Sequence, residues 1–228
     1  MFFTRAWGLM SIALCSAAIA AACDATDDST ADAGDSGADS EADSGTDNAC
    51  DGPIAFADSA LEAAVRAAID KPSGDLYADD FDEVTALYAN GNGISLLHGI
   101  QCLSALNELW LGGNQISDLD PLSYLTSLSV LYLPANQISN IEPLATMSSL
   151  TVLYLGNNPL TNLEPLSSLT TLEELYLGFS VYADLTPLSS LTSLSVLHLT
   201  SSQITDIAPL APLTNLTILF LSNLKFPR

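Results

Sequence analysis

From Val84 onward the apolar residues of this chain return on a fixed period of 22. Leu106, Leu128, Leu150, Leu172, Leu194 and Leu216 form one column. Leu109, Leu131, Leu153, Leu175, Leu197 and Leu219 form a second, and Leu111, Leu133, Leu155, Leu177, Leu199 and Leu221 a third. Pro121, Pro143, Pro165, Pro187 and Pro209 align too, each followed by Leu. The frame runs back through Val84, Leu87, Ala89, Asn92, Ile94, Leu97, Ile100 and Leu103. The unit is L-x-x-L-x-L-x-x-N-x-I-x-x-L-x-P-L-x-x-L-x-x, in six full copies from Val84 to Asn215 and a broken seventh. Alternation at L-x-L predicts a short strand. The Pro predicts the start of a short helical turn, where its missing N–H costs nothing. One unit cannot bury its own leucine face, but a stack can. Ahead of the repeats, Phe56, Leu61, Ala64, Val65, Ala68 and Ile69 fall close to helical spacing. Asp58 and Ser59 are placed to cap that helix, with Glu62 in its first turn. Lys71-Pro72-Ser73-Gly74 ends it, and a second short helical piece is expected over Asp79 to Glu83.

This unit resembles the leucine-rich repeat, in the 22-residue bacterial class typified by the internalins. The resemblance covers residues 84–228, and residues 53–83 look like the helical N-terminal cap of that class. It implies an α/β repeat solenoid, a horseshoe with a parallel sheet on its concave side. Asn92, Asn114, Asn136 and Asn158 stand where the chain turns away from the strand, and their side chains are expected to form an asparagine ladder. Ser180 and Ser202 interrupt it, so looser C-terminal turns are expected.

In a strand centred on L-x-L, the x between the leucines points away from the core. That position holds Tyr88, Trp110, Tyr132, Tyr154, Tyr176, His198 and Phe220, an aromatic ring in every unit. With strands about 4.8 Å apart the rings should form a continuous ladder. The position two before each holds Ala86, Glu108, Val130, Val152, Glu174, Val196 and Ile218. An aromatic stripe with an aliphatic flank and two acids reads as a site for a protein or peptide ligand. Carbohydrate stacking is a second reading. A third is a purely structural role, because neighbouring rings also stabilise a sheet by packing on one another.

The N-terminal residues carry a different character. In residues 1–22 Arg5 is the only charge, followed by an apolar stretch from Ala6 to Ala22 that is short and Ala-rich for a membrane span. It ends Ala20-Ala21-Ala22 before Cys23, which resembles a bacterial lipobox and implies lipidation of Cys23; Ala20 stands where such motifs more often carry Leu. Cleavage by an ordinary secretory signal peptidase is the alternative. Residues 23–52 form an acidic tether. Ten Asp and Glu and no basic residue lie between Asp24 and Asp51, among Ala, Ser, Gly and Thr, so disorder is expected there. The whole chain has 27 acids against 5 Lys and Arg and a net charge of −22, yet 48% of it is hydrophobic and its mean hydropathy is +0.32. That balance excludes a nucleic-acid binder working by phosphate neutralisation. Cys15 falls in the leader and Cys23 in the lipobox, which leaves Cys50 and Cys102. In an exported chain they are expected to form a disulfide fastening the cap to the solenoid; two buried free thiols are the alternative.

Nothing here reads as catalysis. His98 and His198 are the two histidines, and the frame separates them by about 24 Å. CxxC, HExxH and P-loop motifs are absent. Gly34-Asp35-Ser36-Gly37 spells a protease nucleophile motif, but such strings arise by chance in an Asp/Ser/Gly tract. Asp47 to Gly52 with Asp58 is a poor match to a calcium loop, with Ala49 at a ligand position. No cofactor and no metal are implied. The expected protein is an exported, lipid-anchored binding module of a bacterial cell envelope, or a secreted one. The alternative is a structural or self-associating envelope protein. Leu224 stands where Asn is expected, so the last strand around Ile218, Leu219 and Phe220 should present an apolar edge open to weak self-association.

Overall fold

The computed structural model describes residues 50–180, 182–200 and 204–221. The expected leader, Cys23, most of the acidic tether, Ser202 and the tail with Leu224 lie outside them. Seven parallel strands form one sheet in chain order. They are β1 Ala86–Tyr88, β2 Glu108–Trp110, β3 Val130–Tyr132, β4 Val152–Tyr154, β5 Glu174–Tyr176, β6 Val196–His198 and β7 Ile218–Phe220. The register follows the sequence period without a slip: Leu87 lies opposite Leu109, Leu109 opposite Leu131, and so on to Leu219. The chain is an α/β leucine-rich-repeat solenoid. The central leucines of β1 to β6 are buried, together with Leu111, Leu133, Leu155, Leu177 and Leu199 and with the Ile column, in one continuous core. Each fully buried Leu contributes about 1.5–3 kcal/mol.

Opposite the sheet, five 3-10 turns carry the prolines: Asp120–Tyr124, Glu142–Thr146, Glu164–Ser168, Thr186–Ser190 and Ala208–Leu210. Pro is the second residue of each, so the turn opens one residue earlier than the sequence pattern placed it. The reason is a side chain. Asp118, Asn140, Asn162, Asp184 and Asp206 each accept the backbone N–H two residues on, which starts the turn before the Pro arrives.

The asparagine ladder has three buried rungs. Asn114, Asn136 and Asn158 accept the N–H of Ile94, Ile116 and Ile138 in the preceding repeat. Their amides donate to backbone carbonyls of both repeats, Asn114 to Ala89 and Leu111 and Asn136 to Leu111 and Leu133 for example. Asn92 is not a rung. It is exposed, because a rung reaches back to a preceding repeat and here the cap helix comes first. Ser180 breaks the ladder as expected, and its Oγ is buried with no partner among the described residues. The turn is nevertheless held: Tyr182, in the Ile column, donates its hydroxyl to the Leu177 carbonyl at 2.8 Å. Ser180 is therefore a repaired rung rather than a loose one.

The cap begins with helix α1, Ser59–Ala68, which buries Leu61 and Val65. Asp58 caps it through Oδ1, which accepts from Ala60 and Leu61. Its other oxygen accepts the N–H groups of Ser95 and Leu96 and the Ser95 hydroxyl, so one carboxylate joins cap and first repeat. Burial pushes this carboxyl up, but the four backbone N–H groups outweigh burial and hold it below the usual Asp value. The second helical piece is a 3-10 turn at Ala78–Phe81, not Asp79 to Glu83. Glu83 is already outside it, because Val84 must start the first repeat. Cys50 and Cys102 form the expected disulfide, with Cα atoms 5.4 Å apart.

Candidate functional site

The alternating strands leave one sheet face uncovered, and the pattern iBi in β2 to β6 shows the central leucine inside with both neighbours half-buried on that face. Tyr88, Trp110, Tyr132, Tyr154, Tyr176, His198 and Phe220 stand there side by side. Their successive ring centroids are 6.0, 4.7, 4.9, 4.0, 6.0 and 5.2 Å apart. Trp110 stacks on Tyr132, and Tyr154 lies nearly parallel to Tyr176, at 4°. Parallel register sets this geometry, since each ring has its neighbour directly across the ladder. The stacked rings face one another, so their edges and hydroxyls face outward. The end rings are the most open: Tyr88 is 65% and Phe220 53% exposed.

The two acids lock into the rings. Glu108 Oε2 accepts from the Tyr88 hydroxyl at 3.2 Å and from Trp110 Nε1 at 3.3 Å. Glu174 Oε2 accepts from the Tyr176 hydroxyl at 3.0 Å. Burial, then Tyr154, then Glu174 push the Tyr176 phenol far above its ordinary value. Burial raises Tyr154 as well, and burial followed by the Glu108 charge raises Tyr88. Burial lowers His198. These phenols stay protonated and His198 stays neutral near pH 7.

All nine sequence-selected residues, from Tyr88 to Phe220 with Glu108 and Glu174, lie on this single face. His98 lies apart from it: it is exposed, and its backbone carbonyl accepts from Ala57 in the cap. One contributor to the face was missed, and so was one strained residue beside the sheet. Gly112 gives Tyr132 its place, since a Cβ there would meet Tyr132 Cε1 at 2.6 Å. Phe179 is left-handed at φ 62° and 61% exposed. It follows Gly91, Gly113, Ala135 and Asn157 in a column that is left-handed at all five of these positions. A bulky residue there is strained by about 1–2 kcal/mol. The break from small residues in that column was the available signal. Among the described residues no group of His, Cys, Asp and Glu is arranged to hold a metal ion. A shallow recess lined by Ala63, Arg66, Ala67, Asp70 and Pro72 lies on the cap and contains no sheet residue.

Comparison with known proteins agrees with this architecture. A family model described as leucine-rich repeats (2 copies) matches at residues 104–146, 126–168 and 148–190. The internalin InlF of Listeria monocytogenes is similar in structure at TM-score 0.64 and 30% identity, over 76% of this chain and 58% of that one. Internalin C2 of Listeria monocytogenes is similar at TM-score 0.62 and 36% identity, over 76% of this chain and 87% of that one. A leucine-rich-repeat protein of Leptospira interrogans is similar at TM-score 0.53 and 28% identity, over 56% of this chain and 34% of that one. The chain thus spans little more than half of the first of these and most of the second. No curated protein matches it significantly.

Proposed function

The chain belongs to the internalin-like leucine-rich-repeat proteins, and from that premise we propose that it recognises a protein or peptide ligand on its concave aromatic face. The observation that carries this reading is the unbroken row of seven rings on an uncovered sheet face. A structural role alone is satisfied by stacked pairs such as Tyr154 and Tyr176. It gives no reason for the open Tyr88, or for carboxylates set among the rings. Capture of ligand from bacterial envelope extracts tests it. Wild type should retain a partner that a Trp110→Ser, Tyr132→Ser, Tyr154→Ser variant of unchanged fold releases. Equal capture by both would place recognition elsewhere.

The module is exported and held at the cell envelope by lipid on Cys23. Ala20-Ala21-Ala22-Cys23 after an apolar leader supports this, and so does a disulfide, which persists in oxidising compartments. Palmitate should label wild type and not Cys23→Ser; equal labelling, or none in either, contradicts lipidation. Weak self-association through β7 belongs to the same reading. Ile218, Leu219 and Phe220 are all exposed, whereas the equivalent leucines of the other strands are buried. A sedimentation coefficient independent of concentration would count against it.

A further inference from the structure

Three donors of the aromatic face are already engaged by its two glutamates. The hydroxyls of Tyr88 and Tyr176 and the indole N–H of Trp110 all donate to Oε2 of Glu108 or Glu174. Among the described residues, Oε1 of neither glutamate has a protein partner. A ligand that covers these oxygens must therefore bring donors to them. It must also tolerate a strongly anionic surface, because no Lys or Arg occurs between Lys71 and Lys225, while Glu173 adds a carboxylate beside Glu174. An anionic segment would be repelled, and a neutral one would leave both carboxylate charges without a counter-charge on desolvation.

The spacing of the two glutamates narrows the ligand further. Glu108 is on β2 and Glu174 on β5, in the same row and three strands apart. At strand spacing that is about 14 Å. An extended chain rises about 3.3 Å per residue, so residues i and i+4 are about 13 Å apart. Side chains at i, i+2 and i+4 point to the same side. Between the glutamates the row holds Val130 and Val152, which suit an apolar side chain at i+2. The ring wall alongside accepts the aliphatic stems of Lys or Arg while their heads reach the carboxylates.

We propose that the concave face binds an extended segment of a basic protein, crossing the strands. Its pattern is a cationic residue, an apolar residue two on, and a second cationic residue four on. This rests on the concave-face reading above and names its ligand class. The test is fluorescence anisotropy on the full chain at physiological salt. The probes are labelled peptides centred on Lys-Ser-Val-Ser-Lys, Lys-Ser-Val-Ser-Ser-Lys, Ser-Ser-Val-Ser-Ser and Glu-Ser-Val-Ser-Glu. The first should bind most tightly, and Glu108→Gln with Glu174→Gln should weaken it by about tenfold or more. Glu108→Lys should weaken it too, and should gain affinity for the Glu peptide. Because glutamine still accepts from the ring groups, unchanged thermal unfolding confirms that the fold is kept. Equal binding of the first peptide to wild type and the Gln pair would assign it to the acidic tether and overturn the proposal. So would indifference to spacing, or no binding at all. If the neutral peptide binds equally and Tyr132→Ser abolishes that binding, the face is a recognition surface and only the cationic ligand is wrong.

Discussion

At His198 the ring is held between Tyr176 and Phe220, and burial lowers its pKa below the ordinary 6.5. The folded state therefore binds this proton less readily than the unfolded chain does. Stability is complete above about pH 6.5 and declines as pH falls through that value toward the folded pKa. Between pH 7.5 and 5.5 thermal unfolding of wild type should move to lower temperature, and that of His198→Phe should move less. Equal displacement of the two would contradict the assignment. The address of His198 was legible because alternation around L-x-L dictates which side chain leaves the core. The strain at Phe179 was not, since hydrophobic alternation carries no record of φ. Only the run of Gly91, Gly113, Ala135 and Asn157 ahead of it hinted at a left-handed column.

Each repeat is built from a strand, a polar rung and a proline turn, and the strands were the most legible of these. Their leucines answer to burial alone. The turn onset was read one residue late, because an Asx side chain starts it and the Pro only continues it. The rung at Ser180 was read as a weakness because hydrogen bonds from a residue in the Ile column have no sequence signature. Tyr182→Phe should expose that substitution. Removing its hydroxyl leaves the buried Leu177 carbonyl without this donor, at about 1–3 kcal/mol. Adding Ser180→Asn should recover part of the loss by restoring the amide donor. Denaturant midpoints of the two variants decide this; no loss in Tyr182→Phe would mean the hydroxyl bond contributes nothing.

In the repeat-bearing unit as a whole, the cap is joined to the stack by the Asp58 carboxylate and by the Cys50–Cys102 disulfide. The bridge spans 52 residues of sequence, and the chain-entropy model values such a closure at roughly 4 kcal/mol. Cys102→Ser should lower stability by that order, and reductant should lower the melting temperature of wild type but not of the variant. A variant as stable as wild type would show that the cap docks without it. What the sequence could not convey at this scale is the ring tilt. The ladder itself follows from strand spacing and was expected, but the tilt depends on local room such as that at Gly112, which the L-x-L pattern does not encode. The central claim is that this row of rings is the recognition surface. Hydroxyl-radical footprinting with and without a captured ligand tests it most directly. Trp110, Tyr132 and Tyr154 should become protected from oxidation, while Tyr124, exposed on the outer turn between β2 and β3, should not change. Protection of Tyr124 with no change along the ladder would contradict the account.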